Sequence, residues 1–92
     1  MPRTSSFALL LLAALIAALP AGHAVAMTAD EYFTDGNRLY YNDLYWAALL
    51  RYQQAADEGL DSAVLHYNMG VAHYRAGQLV RSRQAFERAL ED

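Results

Sequence analysis

Apolar residues are arranged in two different ways along the chain, and the change falls near residue 27. From Phe7 to Leu19 every position is apolar, an unbroken run of 13 residues. Beyond residue 28 apolar and polar positions are interspersed in a pattern that returns every 34 residues: Gly36 with Gly70, Tyr40 with Tyr74, Tyr52 with Phe86, Ala55 with Ala89. A fixed period of this length marks stacked supersecondary units, because one helical hairpin cannot bury its apolar face alone.

Each unit predicts two helices. Thr28 followed by Glu31 is a capping box that opens a first helix over 29–41. Asn42-Asp43 makes the turn, with Asp43 capping a second helix that runs through Trp46, Leu49, Tyr52 and Ala56 to about Glu58. Gly59 closes that helix in a left-handed conformation. Leu60-Asp61-Ser62 connects to a third helix over 63–75; Ala76-Gly77 then mirrors Asn42-Asp43, and a fourth helix starts near Gln78 and runs to the end. No proline beyond Pro20 interrupts these segments. Glycine inside a helix costs about 0.5–1 kcal/mol relative to alanine. Gly36 and Gly70, with the small residues Ala48 and Ser82, therefore mark close helix contacts. The expected core is Leu39, Tyr45, Leu49, Tyr52, Leu65, Met69, Leu79, Phe86 and Leu90.

The stretch Ala63 to Leu90, AVLHYNMGVAHYRAGQLVRSRQAFERAL, resembles a tetratricopeptide repeat. Met69-Gly70 stands at the repeat's Leu-Gly, Tyr74 and Gly77 flank the inter-helix turn, and Phe86 and Ala89 complete the pattern. The first unit, residues 29–62, matches with Tyr32, Gly36, Leu39, Tyr45, Ala48, Tyr52 and Ala55. Asp35 departs from the usual leucine, Ser82 from alanine, and His66 and His73 from apolar or aromatic positions; Leu60 stands where a proline is usual. AADEGLDSA is also similar to a Sel1-like repeat, but the insertions of that relative are missing and the strict 34-residue period favours the tetratricopeptide form. The resemblance implies an all-α fold, four helices in antiparallel hairpins stacked as a short right-handed solenoid.

It also implies where a partner would sit. In this family the first helix of each unit lines a concave groove. The matching positions are Asp30, Phe33, Asn37, Tyr40 and Tyr41, then Val64, Tyr67, Val71, Tyr74 and Arg75. Tyrosine offers rigid contact area and a hydroxyl at low entropy cost, which suits peptide recognition. The resemblance implies that Asn37 and Asn68 hydrogen-bond the backbone of an extended peptide; the competing reading is that they and several tyrosines are ordinary repeat residues. Phe33 occupies a place where the family's carboxylate clamp needs lysine, so chaperone-tail binding is not expected.

Two further surfaces stand out. Trp46 and Leu50, i and i+4 on the second helix, form a candidate contact patch on its convex face, or plain apolar scatter. The fourth helix carries Leu79, Phe86 and Leu90 with no helix to follow, whereas arrays normally end in a polar cap. Three readings follow: the opening of a longer array, self-association through this end face, or a partner helix that completes the stack.

The N-terminal run is too short to span a bilayer, which needs ~20 apolar residues. With Arg3 before it, and Pro20 and Ala24-Val25-Ala26 after it, it reads as a secretory signal peptide over 1–26, leaving no stable membrane anchor after cleavage. Residues 27–92 then form one small domain of two units. A periplasmic destination is expected, with secretion the alternative. The chain has no cysteine and no lysine. Beyond residue 26 six arginines face ten carboxylates, a balance of −4, which argues against nucleic acid. Seven of those carboxylates and two arginines lie in 29–62. That asymmetry serves a head-to-tail homo-oligomer or is simply solvated surface.

No catalytic constellation emerges. His66 and His73 are seven apart, about 10 Å along a helix at 1.5 Å per residue, too far for one metal ion. There is no phosphate loop and no nucleophile elbow, and no cofactor is expected. The chain reads as an exported interaction module for a protein or peptide partner.

Overall fold

The computed structural model describes residues 26–91, so the signal-peptide segment lies outside the described residues apart from its last position. Four helices follow in order: α1 (Ala29–Tyr41), α2 (Tyr45–Asp57), α3 (Ala63–Arg75) and α4 (Leu79–Glu91). The described residues hold no strand. α1 packs on α2 and α3 on α4, so the chain forms two helical hairpins, stacked through α2 against α3.

The helix ends follow local side-chain chemistry. Thr28 Oγ1 accepts from the Glu31 backbone N–H at 3.2 Å, and its hydroxyl lies 3.3 Å from the Glu31 carboxylate, so the box closes side chain to side chain. Ser62 repeats the cap on α3 by accepting from the Leu65 N–H at 3.1 Å. The first three helices end alike. After each, one residue turns left-handed: Asp43 (φ 63°), Gly59 (φ 102°) and Gly77 (φ 78°). The next N–H then reaches back five residues to Leu39, Ala55 and His73 respectively. These paired bonds satisfy carbonyls that a helix terminus leaves open. Asp43 therefore does not cap α2; Leu44 holds that position without a side-chain bond, and the Asp43 carboxylate instead accepts from the Tyr45 hydroxyl at 3.0 Å.

The core lies between the first hairpin and α3. Ala48, Leu49, Tyr52, Ala55, Leu65 and Ala72 are buried, with Leu39 and Met69 packed against them. Gly36 is buried because the Tyr52 ring lies directly on it, and Phe86 lies on Gly70 in the same way one unit later. The ring contacts repeat as well: Phe33 meets Tyr52 at 5.9 Å between centroids, and Tyr67 meets Phe86 at 5.6 Å. Ser82, buried where the first unit has Ala48, donates its hydroxyl to the Gly70 carbonyl at 2.7 Å.

Two positions of the expected core are wrong. Leu79 is 63% exposed and Leu90 86% exposed, because among the described residues no helix covers the outer side of α4. Tyr45 and Phe86 are half-buried. Asp35, the departure from leucine, is compensated. Its carboxylate takes Arg38 at 2.7 Å and Arg51 Nε of α2 at 2.8 Å, and these cations, Arg38 foremost, hold it below the ordinary carboxylate range.

Candidate functional site

Where α1 and α3 come together they leave a hollow of about 310 Å³. Its lining is Asn37, Tyr40 and Tyr41 from α1, Tyr52 from α2, and Tyr67, Asn68 and Val71 from α3. Asn37 is half-buried at the junction, and its Oδ1 accepts two bonds, from the Tyr52 hydroxyl at 2.6 Å and from Asn68 Nδ2 at 3.0 Å. That acceptor is saturated. The groups of the pair that these two bonds leave unused are the Asn37 amide N–H donors and the Asn68 Oδ1 acceptor. These carry the donor-and-acceptor pattern that a peptide amide complements.

Tyr52 forms the floor. It is 1% exposed, and its hydroxyl remains paired, so no buried side-chain polar atom among the described residues lacks a partner. Burial first, then the neighbouring Tyr41 and Tyr40 hydroxyls, push its pKa up to about 12. The floor is thus a neutral phenol across the physiological range. Tyr40 stacks edge-on against Tyr41 at 5.6 Å and tilts against Tyr45 at 5.5 Å. Tyr41 and Tyr67 stand exposed as the walls.

Of the expected groove residues, Asn37, Tyr40, Tyr41, Tyr67, Asn68 and Val71 converge on this hollow. Phe33 does not; it turns inward onto the Tyr52 ring and the core. Tyr74 and Arg75 also lie outside the lining. Tyr74 is exposed near the end of α3, and Arg75 stands beside the Tyr40 and Tyr45 hydroxyls, placing one cation at the rim. Tyr52 is the residue the groove expectation missed. Its signal was present in the repeat: the second unit has Phe86 at the same place, so a hydroxyl in the first unit asks for a partner.

Chemically the hollow offers aromatic faces and amide hydrogen bonds, with no ionisable carboxylate, imidazole or cation in its lining. His66 and His73 sit elsewhere and apart. His66 Nε2 meets Asp61 at 2.7 Å, and His73 Nδ1 meets Gln78 Oε1 at 2.8 Å. Asp61 also faces Arg88 at 3.4 Å, and His66 followed by Arg88 keeps its carboxyl below the ordinary range. Among the described residues no group of three histidine, cysteine or acidic side chains is placed to hold a metal ion. Trp46 and Leu50 are both exposed on α2, as expected. The expected end face divides, since Phe86 packs on Gly70 while Leu79 and Leu90 lie at opposite ends of α4. No described helix is long and apolar enough to cross a membrane.

No family model, no curated protein and no solved structure matches this chain.

Proposed function

We propose that this chain is an exported protein-interaction module of the tetratricopeptide type that receives an uncharged, extended peptide segment in the hollow between its two units. The observation that carries the reading is the asparagine pair. Tyr52 holds Asn37 and Asn37 holds Asn68, which leaves the Asn37 amide N–H donors and the Asn68 Oδ1 acceptor for a partner beside the exposed Tyr41 and Tyr67. Tyr40, Tyr41 and Tyr67 supply contact area to the partner's side chains, and Val71 an apolar wall. Pre-positioned groups of this kind lose little freedom on binding, which favours affinity for its size. The N-terminal apolar run and Ala24-Val25-Ala26 support export, and a periplasmic destination with a role in envelope assembly is part of the same proposal. We assign the chain no catalytic step.

Self-association is the second reading, and the exposed leucines of α4 favour it. Substituting Tyr40 and Tyr74 separates the two. Under the groove reading the pair of changes, chiefly through Tyr40, abolishes capture of an envelope partner and leaves the mass in solution unaltered. Under the second reading, polar replacements of the exposed Leu79 and Leu90 dissociate an oligomer while the tyrosine changes do nothing.

A further inference from the structure

The outer side of the second hairpin carries an apolar hollow of about 470 Å³, lined by Ala63, Val64, Tyr67, Phe86, Ala89 and Leu90. The repeat explains what this surface is. Thirty-four residues earlier stand Ala29, Asp30, Phe33, Tyr52, Ala55 and Ala56, and there α3 covers the place: Tyr52 and Ala55 are buried and Ala56 packs on the core. What α3 brings to that contact is Leu65 and Ala72, both fully buried, and Met69 between them. A stripe of large, large and small apolar residues at i, i+4 and i+7 is therefore the complement that this chain itself uses for such a face.

The same comparison tells which helix does not fit. On α1 the positions of Leu65, Met69 and Ala72 are Glu31, Asp35 and Arg38, and Asp35 is already tied to Arg38 and Arg51. Seating α1 of a second copy on the hollow would put Glu31 where the internal contact has a fully buried leucine. An unpaired buried carboxylate is costly. The array is polar at its α1 side and apolar at its α4 side. One charge also changes: the buried Leu49 of the closed face becomes the exposed Arg83 on the open one, so an acidic residue flanking the stripe would be favoured.

We infer that the open α3–α4 face docks an amphipathic partner helix bearing an apolar i, i+4, i+7 stripe like that of α3, and not the charged α1 of a second copy. This surface shares Tyr67 with the hollow between the units but uses neither Asn37 nor Asn68.

The test extends the full chain after Asp92 with a second copy of residues 59–77, which restores the internal spacing, and compares it with an extension carrying L65E, M69D and A72R in the appended copy. Thermal unfolding is read by circular dichroism, and mass by light scattering. The apolar extension is expected to raise Tm by roughly 10 °C over the charged one, given about 4–8 °C per kcal/mol for a domain of this size. Leu90→Glu, at a side chain that the parent leaves exposed, should remove the gain without lowering the parent's own Tm. Equal Tm values for the two extensions would overturn the inference. So would a parent chain that is a stable dimer and becomes monomeric with Leu90→Glu, because a second copy would then be the occupant.

Discussion

Gly36→Ala should unfold this domain more readily than Gly70→Ala, although the two sites look alike. At Gly36 an added Cβ would stand 2.6 Å from Cδ1 and Cε1 of Tyr52 and 3.3 Å from the Ala48 carbonyl oxygen. Carbon atoms in contact prefer about 3.5–4.0 Å, so the ring must retreat by roughly 1 Å. It has nowhere to go: Tyr52 is 1% exposed, rests on Phe33, and is anchored by its 2.6 Å bond to Asn37. Overpacking of this kind costs about 1–3 kcal/mol, and weakening the hydrogen bond adds about 1 kcal/mol. Alanine's better helix propensity offsets about 0.5–1 kcal/mol. The net loss is about 1–3 kcal/mol. At Gly70 the new Cβ meets Phe86 at the same 2.6 Å, but that ring is half-buried, carries no hydroxyl, and borders the open α3–α4 hollow. It can swing outward, and the propensity gain brings the net change to within about 1 kcal/mol of zero. Thermal and denaturant melts followed by far-UV circular dichroism should show Gly36→Ala lower in Tm by roughly 10 °C and Gly70→Ala by less than about half of that. Equal losses, or a larger loss at Gly70, would refute the claim that the polar anchor on Tyr52 distinguishes the two units.

Three other outcomes follow from the same contacts. Tyr52 is protonated in both states below pH 10; between 10 and about 12 the unfolded chain releases the proton first, so stability falls with rising pH, by about 2–3 kcal/mol in total. Denaturant midpoints across that window should show the decline, and Tyr52→Phe should flatten much of it. Asn37→Ala strands a buried phenol and should cost about 1–3 kcal/mol, whereas Tyr52→Phe, which deletes the donor itself, should cost less in the same melts. Asp43 adopts φ 63° without glycine's freedom while its counterpart Gly77 has it, so Gly77→Ala should destabilise by about 1 kcal/mol and Asp43→Gly should be neutral or stabilising by calorimetry.

Local chemistry made most of the fold legible. α1 and α3 begin and end where Thr28, Ser62 and the left-handed turns place them, because those residues act on backbone groups a few positions away. Asp43 misled because aspartate serves both as an N-cap and as one of the few side chains that tolerate a left-handed backbone; its 34-residue partner, Gly77, was the better guide. The hollow was legible only in part. Asn37 and Asn68 are 31 apart, out of the repeat register, and their bond depends on how one hairpin is offset on the next. Periodicity also marks Leu79 and Leu90 as an apolar stripe without saying whether another helix lies over it.

The central claim is that the hollow between the units receives a segment of another protein. A photo-crosslinking amino acid at Val71, within the lining, should be compared with one at Trp46, exposed on α2, in the full chain expressed in its own host. The account predicts a discrete crosslinked product from position 71 that disappears with Asn68→Ala and is absent from position 46. Crosslinking from position 46 alone, or a product at 71 unaffected by the loss of Asn68, would contradict it.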